Sequence, residues 1–259
     1  MSGNKRKGII FQERDRHMLR ELGVMRVIDR IQAMCVAGFG SITRANSRLL
    51  ALVRAGLLVR FFMGTDAVGR KALYTLSPKG AALVESRYHG LRRGRDEVLA
   101  ADFFVSHQLK VNEIYCILKY RPIPIPGAKF VRWVSFSEPV VTGLALMPDG
   151  YAEIAASGKF LAAFLEVDLG HETRAVWTKK VREYLRLAVS NTFPQQFGQD
   201  RFRVLAVATS ERRLESLRLA TAGETDKIFW FTTFDAIERT GFWSAIWQRP
   251  KDNQCRALL

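Results

Sequence analysis

The chain has 259 residues, 48% of them hydrophobic, which is enough for one large or two small domains with cores of their own. Lys and Arg number 40 against 25 Asp and Glu, and the formal net charge of +15 favours nucleic acid as the partner, with an anionic membrane surface second. No apolar run is long enough to span a membrane, no secretory signal core follows the charged N-terminus, and three scattered cysteines form no disulfide or zinc pattern, so we expect a cytoplasmic protein.

The first third of the sequence has the element order of a winged helix-turn-helix. Helical periodicity covers residues 12–22 and again residues 24–34, where apolar side chains recur at helical spacing. A glycine-rich break leads to a third helix that ends at Gly56. Two strands, LLVRFF and KALYTLS, then flank a glycine-bounded turn, and another helix starts at Ser77-Pro78. We therefore predict a winged helix-turn-helix DNA-binding domain over residues 1–92.

The third helix is the element that such a fold places in the major groove of DNA. Its predicted core face consists of apolar residues: Ala45, Leu49, Leu50, Leu52 and Val53. Its opposite face carries the candidate contacts to bases and phosphates: Thr43, Arg44, Asn46, Ser47 and Arg48. Arg70 and Lys71 are the candidate contacts on the wing. The alternative is a domain that only dimerises or docks onto another protein, since any surface helix carries polar residues opposite its apolar stripe.

A charged linker is predicted near residues 90–97, where Arg92, Arg93 and Arg95 either follow a phosphate backbone or form a solvated joint. The second domain is predicted over residues 97–250, with residues 251–259 as a C-terminal tail. Its patterns give a helix, a strand ending at Glu138, a hairpin turning at Ser157-Gly158, and then helix, strand, helix and strand. This order predicts an α/β (α+β) fold around a mixed sheet.

Acidic residues gather at the ends of the hairpin strands, although the strands themselves are apolar. Glu166 and Asp168 point to the same side of their strand, and Asp149 on the partner strand can reach the same end. Unpaired carboxylates are costly to bury, and close like charges raise a pKa unless a cation neutralises them. A hard divalent ion, Mg²⁺ or Mn²⁺, would do so. The alternative is that Arg or Lys side chains pair with these acids.

These motifs together resemble a known family. PDG followed across a turn by EVD is similar to the PD-(D/E)XK nucleases, and the order of the winged helix, SHQLKVNEIY, MPDG, FLEVDLGHET, KKVREYL and IWQRP resembles the bacterial replication-relaxation family over nearly the whole chain. The resemblance implies that Asp149 and Glu166 are metal-binding acids and that Glu113 lies near the metal. Asp168 stands where those nucleases have a lysine, so we expect Lys180, on the next helix, to supply the positive charge.

By this resemblance, the protein belongs to a plasmid or mobile element, binds double-stranded DNA, and nicks or relaxes it by metal-dependent hydrolysis in support of replication or transfer. The predicted catalytic residues are Asp149, Glu166, Asp168 and Lys180, and the predicted metal ligands are the three acids with Glu113. A homodimer on DNA and contacts with replication or transfer machinery are further expectations. Three alternatives stay open: a regulator with an inert nuclease-like domain, a covalent route through Tyr184, Tyr151 or Tyr115, and an adaptor that uses Phe242, Trp243 and Trp247.

Overall fold

The computed structural model describes residues 10–65, 69–89 and 98–259. The chain folds as two compact units, Met1–Cys116 and Ile117–Leu259. This division falls further along the chain than the linker expected at residues 90–97, which, like Arg92, Arg93 and Arg95, lies outside the described residues. The first residues of the long helix that follows this linker thus belong to the first unit, and only its end belongs to the second.

The first unit has the helix and strand order of a winged helix-turn-helix. In chain order its elements are α1 (Glu13–Met25), β1 (Ile28–Asp29), α2 (Arg30–Ala37), α3 (Ile42–Arg54), β2 (Leu58–Thr65), β3 (Gly69–Leu76), α4 (Pro78–Leu83) and α5 (Val98–Tyr120), whose last residues enter the second unit. The three strands form an antiparallel sheet in the order β1-β3-β2. The predicted third helix and the strands of the wing are therefore confirmed.

The second helix, predicted over residues 24–34, begins later than expected, at Arg30, because the chain breaks after Met25. α1 continues to Met25, Arg26 adopts a positive φ of 64°, and β1 intervenes before Asp29 caps α2. The side-chain amide of Asn112 donates hydrogen bonds to the carbonyls of Met25 (3.0 Å) and Val27 (2.6 Å). A residue far along the chain therefore satisfies the carbonyls that the break leaves without helical partners.

The second unit is built on a seven-stranded mixed sheet. After the end of α5 its elements are β4 (Lys129–Val134), β5 (Gly150–Ala156), β6 (Lys159–Asp168), α6 (Arg174–Val189), α7 (Thr192–Phe197), β7 (Arg203–Ala208), α8 (Glu211–Ala222), β8 (Phe229–Thr233), α9 (Phe234–Thr240), β9 (Trp247–Arg249) and β10 (Asp252–Arg256). The strand order is β10-β9-β8-β7-β6-β5-β4. The three central strands β6, β7 and β8 run parallel, and the outer pairs are antiparallel. The α+β prediction is thus confirmed.

The core of this unit is aromatic on the face of β6 that carries Glu166. Phe164 is fully buried, and its ring centroid lies 5.0 Å from that of Tyr151, 4.9 Å from that of Phe202 and 5.6 Å from that of Tyr184. Because side chains two residues apart on a strand share a face, Glu166 enters the same layer as Phe164. The sheet therefore places an acid at the edge of a buried aromatic core.

Two sequence predictions for this unit need correction. Residues 251–259, predicted as a tail, contribute β10, and Leu258 is buried. The strand predicted to end at Glu138 ends at Val134. The hairpin turn at Ser157-Gly158 is as predicted, because Ala156 pairs with Lys159 and Gly158 adopts a positive φ of 69°. No helix within the described residues is long and apolar enough to cross a membrane.

Candidate active site

Asp149 is positioned by the hairpin of β5 and β6. Its backbone N–H donates to the carbonyl of Leu165 (3.1 Å), and its carboxylate Oδ2 accepts a hydrogen bond from the N–H of Val167 (2.7 Å). Leu165 and Val167 flank Glu166 on β6, so the register of the hairpin fixes Asp149 beside Glu166. Asp149 is half-buried, whereas only 2% of Glu166 is exposed.

Glu166 binds two side chains of α6, one through each oxygen. Its Oε2 lies 2.9 Å from Lys180 Nζ, and its Oε1 accepts a hydrogen bond of 2.5 Å from the hydroxyl of Tyr184. Thr173 caps α6 by accepting from the N–H of Val176, and side chains four residues apart then share one helical face. The helix therefore presents a cation and a phenol to the same carboxylate, as the spacing of Lys180 and Tyr184 predicts.

Lys180 is shared between two acids. Its Nζ lies 3.0 Å from Glu172 Oε1 as well as 2.9 Å from Glu166. Burial lowers the pKa of Lys180, but the charges of Glu166 and Glu172 outweigh this effect and raise it, so the ammonium stays charged. Glu172 is thus a member of the site that the motif pattern does not identify.

Burial raises the pKa of Glu166 to about 7, because Lys180 offsets only part of the desolvation and Asp149 adds repulsion. Burial and the neighbouring Glu166 also raise the pKa of Tyr184 well above its usual value. A phenol of this kind is a hydrogen-bond donor and a poor nucleophile at neutral pH. Tyr151 and Tyr115 are likewise buried, and they donate to Glu153 and Glu21.

Asp168 is held by an arginine. Arg213 Nε and Nη2 lie 2.6 Å and 2.7 Å from the two carboxylate oxygens of Asp168, and Nη2 also donates to the carbonyl of Glu172 (2.5 Å). The N–H of Gly170 donates to the same carboxylate. Asp168 therefore makes the ion pair named as the alternative, and its role as a metal ligand stays a prediction. Arg213 lies on α8, 45 residues beyond Asp168, and no local motif points to it.

The four residues predicted to bind a divalent metal ion are not equally well placed to do so. Glu113 belongs to the first unit and pairs with Lys110 (2.8 Å). With Asp168 bound to Arg213, Asp149 and Glu166 are the two carboxylates that lie together. In the described part of the chain, no cluster of three or more His, Cys, Asp or Glu side chains is placed to hold a metal ion. Two carboxylates fit Mg²⁺ in its usual protein sites, where waters and substrate phosphates complete the shell.

The predicted DNA-binding face of α3 divides into two groups. Thr43, Arg44 and Ser47 are exposed, and Asn46 is half-buried. Arg48 instead pairs with the fully buried Asp15, with Nε 2.7 Å from Oδ1, and also donates to the carbonyl of Ile10. On the wing, Arg70 is exposed, and Lys71 pairs with Asp29 at 2.5 Å. Arg48 thus has a structural role that its position on the helix does not predict.

The three aromatic residues considered for an adaptor surface belong to the core. Phe242, Trp243 and Trp247 are all buried, and the indole N–H of Trp247 donates to the carbonyl of Phe242. The ring centroid of Phe242 lies 5.0 Å from that of Trp243 and 5.1 Å from that of Trp247. They pack inside the fold and form no exposed patch.

Comparison with known proteins gives one family. The model of the replication-relaxation family matches residues 17–199, from α1 to the end of α7, which is more than half of the chain. No curated protein and no solved structure matches the chain. The matched range contains Asp149, Glu166 and Lys180, whereas Arg213 lies beyond it. On this match the chain belongs to the replication-relaxation family.

Proposed function

We propose that this protein binds double-stranded DNA through α3 and the wing, and cleaves one strand at Asp149, Glu166 and Lys180 in support of plasmid or mobile-element replication or transfer. Family membership supports a role in replication or plasmid-related DNA processing. The observation that carries the cleavage proposal is the convergence at one end of the sheet of Asp149 just before β5, Glu166 on β6 and Lys180 on α6. Their order along the chain is the one that the nuclease resemblance implies.

Each residue has a role that its contacts allow. Asp149 and Glu166 would hold Mg²⁺ or Mn²⁺, which supplies positive charge against the phosphate when it is bound. Lys180 remains charged beside the two acids and is placed to stabilise negative charge that develops on a phosphodiester. Tyr184 keeps Glu166 in place by its hydrogen bond, and Arg213 holds Asp168 and the start of α6.

A supercoiled plasmid that carries the gene's own locus tests this proposal. The protein is incubated with Mg²⁺, Mn²⁺ or EDTA, and Glu166→Gln and Asp149→Asn are compared with Lys179→Ala, an exposed neighbour of Lys180. We expect metal-dependent conversion to open circles that both acid variants lose and the lysine control keeps. Gel retardation of the locus fragment should be unchanged in all three variants. A protein adduct that survives denaturation would instead establish covalent catalysis by a tyrosine.

A second candidate function is a DNA-binding regulator whose nuclease-like unit is inert. Two observations favour it: Arg213 occupies both oxygens of Asp168, and Lys180 and Tyr184 occupy both oxygens of Glu166. A carboxylate with its oxygens already paired gives a metal ion less to bind. Intact supercoils in every metal lane, together with full retardation of the locus fragment, would establish this function.

A further inference from the structure

The second unit has a pocket rich in cations at the end of the sheet opposite Glu166. Here called the basic pocket, it is open to solvent, has a volume of about 840 Å³, and lies where β6 and β7 begin. Its lining includes four cationic side chains and three aromatic ones: Lys159, Arg201, Arg203, Arg249, Phe160, Phe202 and Trp230. Among the described residues that line it, one acidic side chain, Asp200, is present. The pocket thus carries a local excess of positive charge.

The arginines of the basic pocket are crowded together. The guanidinium groups of Arg203 and Arg249 lie 4.7 Å and 5.7 Å from the ring centroid of the buried Trp230. Burial lowers the pKa of Arg203, and the positive charges of Arg249 and Arg201 lower it further. Neighbouring positive charges repel each other, and an anion bound among them relieves that repulsion. The arrangement is therefore one that a bound anion would stabilise.

A buried donor of the basic pocket also lacks a partner. Arg249 donates through Nη2 to the carbonyl of Asp226 (2.6 Å), but its Nε is buried without a hydrogen-bond acceptor among the described residues. Buried N–H groups are rarely left unsatisfied, and an acceptor from a ligand would remove the cost. The ligand chemistry that this set recognises is an anion with several acceptor oxygens, of which a phosphate is the common biological form.

The rim of the basic pocket suits a nucleic-acid strand better than a small enclosed phosphate. Lys159 and Arg201 are exposed, and Phe160 has 44% of its surface exposed beside them. Proteins that bind single strands combine cations along the backbone with an aromatic face on which a base stacks. An open pocket also allows the strand to enter and leave, whereas a nucleotide site generally encloses most of its ligand.

We propose that the basic pocket binds the phosphates of single-stranded DNA, with Phe160 stacking on a base. This binding goes beyond the proposed function, because it needs neither cleavage at Glu166 nor duplex binding by α3. A protein that opens a duplex, or nicks it before one strand is displaced, leaves single-stranded DNA, and the pocket would hold one such strand. If the cleavage proposal fails, single-strand binding can still be measured in the same protein.

The test is fluorescence anisotropy of a short labelled oligothymidylate with the full chain in EDTA. Lys159→Gln/Arg201→Gln removes two exposed cations of the pocket, and Arg182→Gln/Arg239→Gln removes two exposed cations outside its lining. We expect the pocket pair to weaken binding roughly tenfold and to reduce the salt slope by about 1.4, since each phosphate contact on a single strand contributes about 0.7. Phe160→Leu should weaken binding without changing the slope.

Three outcomes would overturn the proposal. Equal losses in the pocket pair and the control pair would mean that net charge alone attracts the strand. Equal competition by thymidine monophosphate and by the unlabelled oligonucleotide, at the same phosphate concentration, would mean that the pocket is a small-anion site. An equal loss of duplex affinity in the pocket pair would mean that the pocket does not select single strands.

Discussion

Lys180 is the residue on which the candidate active site depends for charge balance. It places one positive charge between the buried Glu166 and the partly buried Glu172. We expect Lys180→Met to lower the free energy of unfolding by about 3 kcal/mol, because it leaves a buried carboxylate without its cation. Urea unfolding in EDTA measures this, with the exposed Lys179→Met as the matched control. Equal stability of the two variants would show that Glu166 does not need the ion pair.

Glu166 should make the stability of the protein depend on pH near neutrality. Burial raises its pKa to about 7 in the folded protein, above the value of an exposed glutamate, so the folded state binds more protons between these two values. The contribution of Glu166 to stability is therefore fully present at acidic pH and is lost as the pH rises through about 7. Unfolding between pH 5 and pH 8 in EDTA should show this loss, and Glu166→Gln should remove it. The exposed Glu138→Gln should leave the slope unchanged.

At the scale of single residues, the sequence predicts those neighbours that share one helix or one hairpin. Lys180 and Tyr184 share a helical face, and Asp149 and Glu166 share a hairpin, so periodicity and turn patterns bring each pair together. Arg213 binds Asp168 across 45 residues, and Arg48 binds Asp15 across 33, after the chain has folded back. Such pairs depend on packing between elements, which local spacing does not encode.

Asn112 holds the break between α1 and β1 in place. It is 1% exposed, and its amide donates to two carbonyls that no helix partner reaches. We expect Asn112→Ala to lower the free energy of unfolding by roughly 1 to 3 kcal/mol, since the carbonyl of Val27 loses this donor while that of Met25 keeps the N–H of Val27. Gln108→Ala, which removes the donor to Asn112 Oδ1, is the milder control.

Hydrogen exchange of the amides where β1 pairs with β3 localises this effect. Ile28 pairs with Tyr74 and Asp29 with Leu73, so these amides should lose protection in Asn112→Ala before those of α3 do. Uniform loss of protection over the first unit would mean that Asn112 supports the unit as a whole. Retained protection at β1 would contradict the role given to its amide.

At the scale of elements, the sequence identifies long periodic segments better than short or interrupted ones. α3 and the β5–β6 hairpin have uninterrupted patterns and clear end signals, namely Ser41 as a cap and Gly158 in the turn. The break after Met25 has no glycine or proline to mark it, and its cause is an amide more than eighty residues away. β9 and β10 are short, and β10 is mostly exposed, so no alternation of apolar residues marks it.

At the scale of the whole molecule, the net charge of +15 attracts DNA to any face, so affinity alone does not identify a binding surface. A contact with a phosphate releases a counterion and changes the salt dependence of binding, whereas a distant charge changes it little. On α3, Arg44 is exposed, whereas Arg48 is bound to Asp15. The salt dependence of DNA binding can therefore test whether α3 contacts the DNA and whether Arg44, rather than Arg48, makes the contact.

We expect Arg44→Gln to weaken binding to the duplex of its own locus and to reduce the slope of log K against log salt by about 0.9, the value for one phosphate contact on duplex DNA. Arg239→Gln removes the same charge from α9 and should leave the slope unchanged. Arg48→Gln should instead lower the free energy of unfolding, because Asp15 is fully buried and loses its cation. Equal slopes for Arg44→Gln and Arg239→Gln would show that α3 does not contact the DNA backbone. Binding would then come from the overall charge or from another surface, and the first unit would have a docking role.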